Sequence, residues 1–249
     1  MMAVTQKEYV VGLVYPTNRP EGKETQLDEK LPPSIQLVGL TLNFTRGNEE
    51  EFGASMSRYE VKVAELTAKN ASLIIPAGAP PFMLLGFQGE REMIRRWEQK
   101  YGVPMFTSGQ NHVRALRTLE INAFVGVSYF PEKLNAVFAR YFTEAGFHVL
   151  AMDGIPVQFA AAPKLPAQQI AEFVKKLFEK HPNAQGVYML GSAWKTLDMV
   201  EPLEQALGVA VVHPGPARHW ETLVRLGFCK GLSGYGKLLA EMPAAAPPV

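Results

Sequence analysis

The sequence predicts an α/β protein of two pseudo-symmetric lobes, each with a four-stranded, mainly parallel sheet flanked by helices. Three observations lead there. Short apolar runs rich in β-branched residues alternate with longer stretches of helical period, the pattern of successive βαβ units. A chain of 249 residues, 47% hydrophobic and 20% charged, can bury one large core or two modest ones. The halves also repeat one another in order: "VVGLVYP" from Val10 parallels "FVGVSYF" from Phe124, "ASLIIPAGAP" from Ala71 parallels "QGVYMLGSAW" from Gln185, and "YGVPMFTSGQNHVRALRTL" from Tyr101 parallels "LGVAVVHPGPARHWETLVRL" from Leu207. The register sets Tyr15 opposite Tyr129, Gly78 opposite Gly191, and Gly109 opposite Gly215.

Taken in chain order, the short apolar runs give strands at 9–15, 35–42, 72–77, 103–107, 123–129, 148–152, 186–190 and 209–213. Stretches with apolar residues at three- and four-residue spacing give helices at 50–69, 90–100, 110–119, 131–144, 166–179, 196–207 and 216–226. The repeat divides the chain into an N-terminal lobe at 1–119 and a C-terminal lobe at 120–241, whose last helix is expected to cross back. The Pro/Ala-rich end, "MPAAAPPV" at 242–249, is expected to be unstructured.

Charge and cysteine usage exclude several functions. Lys plus Arg number 25 against 24 Asp plus Glu, so no basic excess points to nucleic acid or an anionic membrane, and a small molecule is the expected partner. The start of the chain has no signal-type apolar segment, and no run reaches the ~18 apolar residues that span a bilayer, so a cytoplasmic protein is expected. The single cysteine, Cys229, excludes an intrachain disulfide and a cysteine metal cluster. The five histidines show no i,i+4 ligand pair, so a metal site is not expected. Homo-oligomerisation stays open.

Parallel sheets bind ligands beyond the carboxyl ends of their strands, where backbone N–H groups point outward. Two such sets, at Ala77-Gly78-Ala79 and Gly191-Ser192-Ala193, would converge on a cleft between facing lobes and suit a carboxylate or an enolate. Small residues at both bends equally serve tight turns and close packing.

These residues also carry a resemblance. "GSAWKTLDMVEPLEQALGVAVV" from Gly191, "PARHW" from Pro216 and "GYGKLL" from Gly234 resemble the C-terminal lobe of arylmalonate decarboxylase and maleate isomerase, in the aspartate/glutamate racemase superfamily. "ASLIIPAG" from Ala71, "VPMFTSGQNHVRALRTL" from Val103 and "VGVSYFPEKLNAVFARYFTEAGF" from Val125 match the rest in order. The resemblance implies two Rossmann-like lobes and cofactor-independent chemistry at a carbon beside a carboxylate. Racemases of this superfamily use two cysteines, maleate isomerase uses one as nucleophile, and the decarboxylase uses one to protonate an enediolate. Here the two cysteine positions fall at Gly78 and Gly191, and the decarboxylase's Thr-Ser anion cradle is replaced by Ala79-Pro80-Pro81. Two of those residues have no N–H to offer.

The resemblance implies substrate contact for Tyr15 and Asn18 and a catalytic role for Tyr129; the strand-end bends add Gly78, Ala79 and Gly191 as substrate-binding candidates, and Ser192 and His213 are further catalytic candidates by their chemistry. Tyr129 stands at the family's cleft-facing tyrosine, as oxyanion donor or acid, or simply packs at a strand end. The Ser192 hydroxyl serves the cleft or caps a helix. His213 ends the last strand as an acid or base, or as a satisfied structural histidine. Lys195 and Arg218 read as solvated charges or carboxylate partners, and "PPFMLLGF" from Pro80 as pocket wall or core. The expected activity is that of a lyase of the arylmalonate decarboxylase type acting on a small carboxylate through an enolate. The alternatives are a thiol-free isomerase, hydratase or carbon-carbon lyase, and a non-catalytic carboxylate-binding protein.

Overall fold

The computed structural model describes residues 9–17, 26–191 and 193–246. The chain forms two compact units, residues 1–109 and 110–249, where the repeat placed the division after Leu119.

The first unit runs β1 (Tyr9–Tyr15), β2 (Ile35–Thr41), α1 (Glu49–Gly53), α2 (Met56–Ala68), β3 (Leu73–Pro76), α3 (Ala79–Met83) and α4 (Gly86–Tyr101). Its strands are parallel in the order β2-β1-β3, with Tyr15 opposite Thr41 and Val11 opposite Leu73. The fourth strand expected at 103–107 is reduced to a single parallel bridge between Ile74 and Met105. Pro104 has no N–H to give, so the pairing consists of the Ile74 N–H to the Pro104 carbonyl at 3.0 Å and the Phe106 N–H to the Ile74 carbonyl at 3.3 Å. The helix expected over 50–69 breaks in two at Ser55, whose buried hydroxyl donates to the Phe52 carbonyl at 2.6 Å. Tyr59, Val63 and Leu66, at helical spacing, form the buried stripe of α2. Leu66 packs on β1 so closely that a Cβ on Gly12 would meet it at 2.9 Å. "PPFMLLGF" is mostly core, since Ala79 to Met83 make up the buried turn α3 and Phe87 is buried in α4. That longer helix stops at Gly102, whose φ of 67° is the left-handed conformation that favours glycine.

The second unit takes most of α5 (Ser108–Thr118), then β4 (Ala123–Ser128), α6 (Glu132–Glu144), β5 (His148–Gly154), α7 (Ala167–Glu179), β6 (Gly186–Leu190), α8 (Val200–Leu207), β7 (Ala210–Val212), α9 (Pro214–Arg225) and α10 (Lys237–Glu241). Its four strands are parallel, in the order β5-β4-β6-β7. Phe124, Phe142 and Tyr188 stack edge to face in its core, with Phe124 and Tyr188 centroids 5.9 Å apart.

Polar anchors tie α5 to this unit, which explains the early division of the chain. Asn111 Nδ2 donates to the Ala217 carbonyl at 2.9 Å and to the fully buried Glu221 carboxylate at 2.8 Å. Arg114 pairs with the same carboxylate, as does Arg225 at 2.8 Å. Taking either cation away would leave a buried charge short of its compensation. Part of the stretch expected to be unstructured from 242 onward, at Pro243 and Ala246, is held as well. Trp220 Nε1 donates to the Pro243 carbonyl at 2.9 Å, and the Ala246 N–H to the Thr118 hydroxyl at 2.9 Å. Among the described residues, no helix is long and apolar enough to cross a membrane.

Candidate active site

Tyr129 immediately follows β4, the strand flanked by β5 and β6, and a closed set of hydrogen bonds fixes its backbone. The Ser128 hydroxyl donates to Asn135 Oδ1 at 2.6 Å and accepts the Phe130 N–H at 2.9 Å. Asn135 Nδ2 then donates to the Phe130 carbonyl at 3.0 Å. All these groups are buried, so the loop satisfies its own polar atoms and sets the direction of the residue between Ser128 and Phe130. The approach is tight: a Cβ on Gly154 of the adjoining β5 would lie 2.8 Å from Asn135 Nδ2.

The Tyr129 ring is buried among aromatic neighbours. Phe130 lies 4.5 Å away by centroid, Trp194 5.5 Å away at 71°, and the half-buried Phe159 6.2 Å away. Trp194 comes from the turn after β6, where its N–H donates to the Gly191 carbonyl at 2.9 Å. Its indole covers Gly191: a Cβ there would stand 2.6 Å from Cδ2 and 2.7 Å from Cζ3, and nearer still to Cε3. The ring therefore occupies the space that a side chain at 191 would need. Trp194 is only 4% exposed, and its Nε1–H has no hydrogen-bond partner among the described residues.

In the first unit, Gly78 follows β3 with a φ of 101°, a conformation that side-chain-bearing residues rarely adopt. A Cβ at Gly78 would meet the Tyr59 hydroxyl at 3.0 Å and Pro16 Cγ at 3.1 Å. The Tyr59 hydroxyl is held there by donating to the Ala77 carbonyl at 2.6 Å. The Gly78 N–H, expected to face an anion, donates instead to Ser108 Oγ at 3.0 Å. Ala79 N–H remains at the start of α3, ahead of two prolines that have none. Tyr15 ends β1 with its ring laid across Gly39 of β2, where a Cβ would come within 2.9 Å.

His213 caps α9, its Nδ1 accepting the Gly215 N–H at 3.1 Å. An accepting Nδ1 puts the proton of the neutral ring on Nε2, which lies 3.2 Å from the Thr196 hydroxyl. Both ring nitrogens are thus engaged, and burial lowers the pKa to about 4. His112 of α5 shares a 2.9 Å hydrogen bond with Tyr188, and burial, with a smaller contribution from His213, lowers it to about 3. Both rings are neutral near pH 7.

The structure brings together Tyr129 and Gly191 through Trp194, and it pairs Gly78 with Ser108. His213 is engaged as a helix cap. Asn18 and Ser192 lie outside the described residues. Lys195 is exposed, as is Cys229. Among the described residues, no group of three or more His, Cys, Asp or Glu side chains is placed to hold a metal. The sequence reading missed Trp194, Phe159, Ser108 and Asn135. "GSAW" does place a tryptophan three residues after a strand-end glycine, but the direction of its ring is set by packing that no local pattern encodes.

The family model described as arylmalonate decarboxylase matches residues 11–239. The arylmalonate decarboxylase of Bordetella bronchiseptica is 22% identical over 219 residues, which span 85% of this chain and 89% of that one. A double mutant of arylmalonate decarboxylase, solved in the liganded form, superposes with a TM-score of 0.85 at 19% identity, covering 94% of this chain and 99% of that one. A maleate isomerase variant of Pseudomonas putida S16, solved with maleate, gives 0.82 at 15% identity over 94% and 98%. The Nocardia farcinica maleate cis-trans isomerase bound to TRIS gives 0.85 at 18% over 93% and 98%. At these identities the solved structures share the fold.

Proposed function

Because the chain belongs to the arylmalonate decarboxylase family, we propose that it is a cofactor-independent lyase acting on a small carboxylate through an enolate-type intermediate. In this reading a carbon-carbon bond to one carboxylate breaks and carbon dioxide leaves. The electron pair settles on the oxygens of the remaining carboxylate as an enediolate, and a proton is then delivered to carbon. Backbone N–H groups and buried donors hold the developing negative charge. Tyr129 is the residue to which we assign oxyanion donation or proton delivery. The observation that carries the assignment is its place at the carboxyl end of β4, braced by Ser128 and Asn135 and walled by Phe130 and Phe159. Those apolar walls favour a substrate with an aryl or alkyl group beside its carboxylates.

The proton source is where this chain departs from its relatives, because neither Gly78 nor Gly191 carries a thiol. A tyrosine hydroxyl is the nearest chemical substitute, and general acid catalysis contributes roughly 10²- to 10⁴-fold. Loss of carboxylate from a panel of aryl- and alkylmalonates, followed by carbon dioxide release, tests the reading. Tyr129→Phe is expected to lower turnover by about that factor with the fold intact. A second reading, a carboxylate-binding protein without turnover, is favoured by the absence of a thiol at Gly78 and Gly191 and by the engagement of both His213 nitrogens. Tight binding of malonates with no product from any of them would establish it over the first.

A further inference from the structure

The chain has three tryptophans, and their indole N–H groups meet different fates. Trp220 donates to the Pro243 carbonyl at 2.9 Å, and Trp97 lies near enough to the Glu60 carboxylate to help hold its pKa down. Trp194 Nε1–H is buried with no partner among the described residues. Folded chains leave few buried donors unmatched, and an unmatched one calls for a ligand, an ion or a water. An indole N–H is only a donor, so what it lacks is an acceptor.

Its surroundings indicate which acceptor. The Trp194 ring stands at the carboxyl end of β6, over the bare α-carbon of Gly191 and against the edge of Tyr129. Its benzo edge, at Cδ2, Cε3 and Cζ3, fills the space of the side chain that the resemblance assigns to a second thiol, and the N–H lies on the opposite side of the same ring. We propose that the Trp194 indole N–H replaces that thiol as an oxyanion donor, holding a carboxylate or enediolate oxygen of an aryl- or alkyl-substituted substrate beside Tyr129. The replacement is functional only in part. An indole donates a hydrogen bond without surrendering its proton, so Trp194 stabilises the anion and leaves protonation of carbon to another group. The inference rests on the lyase reading and deepens it by naming the group that takes the substrate oxygen.

Titration with phenylmalonate tests it, read by calorimetry and by the indole ¹H–¹⁵N resonances of the unmutated protein. The Trp194 resonance is expected to move downfield on binding. Trp194→Phe, which keeps an aromatic ring and removes the N–H, is expected to bind at least tenfold more weakly. Phenylmalonate binding with an unmoved Trp194 resonance, or undiminished affinity in Trp194→Phe, overturns the donor role and leaves the lyase reading standing. If no malonate binds or reacts, the lyase reading falls and the donor role falls with it. Because the resonance is measured in the native chain, a poorly folding variant does not decide the matter.

Discussion

Replacing Gly191 with alanine adds one methyl group, and the structure gives its cost. Gly191 does not have a positive φ, so the backbone accepts alanine, and a shorter list of unfolded conformations should stabilise the variant by about 0.4–1 kcal/mol. Against this, the new Cβ would stand 2.6 Å from Trp194 Cδ2 and 2.7 Å from Cζ3. Carbon atoms rest comfortably at about 3.5–4.0 Å and Cε3 is closer still, so the indole must retreat by roughly 1.5 Å. It has little room to do so, being buried against Tyr129, and overpacking of this kind costs about 1–3 kcal/mol. Gly191→Ala is therefore expected to lose about 1–2 kcal/mol net. In a Trp194→Leu background, no atoms remain where Cε3 and Cζ3 stood, and the same change should be neutral or slightly stabilising. Urea unfolding followed by far-ultraviolet circular dichroism, applied to all four chains as a double-mutant cycle, measures the coupling, expected at about 1–3 kcal/mol. If Gly191→Ala costs nothing, or costs the same in both backgrounds, Trp194 does not fill the 191 side-chain position and the reasoning fails.

Two further expectations come from the same regions. His112 and His213 have folded pKa values lowered to about 3 and about 4, so below pH 6.5 the unfolded chain takes up protons that the folded one refuses. Their effect is absent above that pH, and stability falls by roughly 1–2 kcal/mol per histidine between pH 6.5 and 5. His213→Asn, which keeps a helix cap, should remove one histidine's share of that slope in urea midpoints, and an unchanged slope would show that His213 titrates normally. Asn135→Ala removes the partner of the buried Ser128 hydroxyl and Phe130 carbonyl, each worth about 1–3 kcal/mol when stranded. It should lower the unfolding midpoint and, if Tyr129 acts on substrate, lower kcat more than it raises KM. Wild-type stability in this variant would refute the bracing role.

Much of the architecture was legible in the sequence because it rests on local patterns. The runs "VVGLVY" and "AFVGVS" form the strands expected of them, and the αL glycine at Gly102 ends a helix as such glycines do. The strand expected at 103–107 shrank to one bridge because Pro104 withholds a donor, a fact visible in the sequence but outweighed there by apolar content. The division of the chain moved into α5 because Asn111 and Arg114 reach a carboxylate more than a hundred residues away, at Glu221.

The candidate site divides along the same line. Residue type and order determined that Tyr129 ends a strand, that Gly78 and Gly191 follow strands, and that neither position carries a thiol. Only the tertiary structure decided that the Gly78 N–H is given to Ser108, that both nitrogens of His213 are engaged, and that an indole stands where the second side chain would be. Strand and helix periods arise between residues a few positions apart, whereas hydrogen bonds and ring packing depend on groups that meet only once the chain is folded. The family was written in the order of the residues, and what occupies the space beside Gly191 was settled by the packing of Trp194.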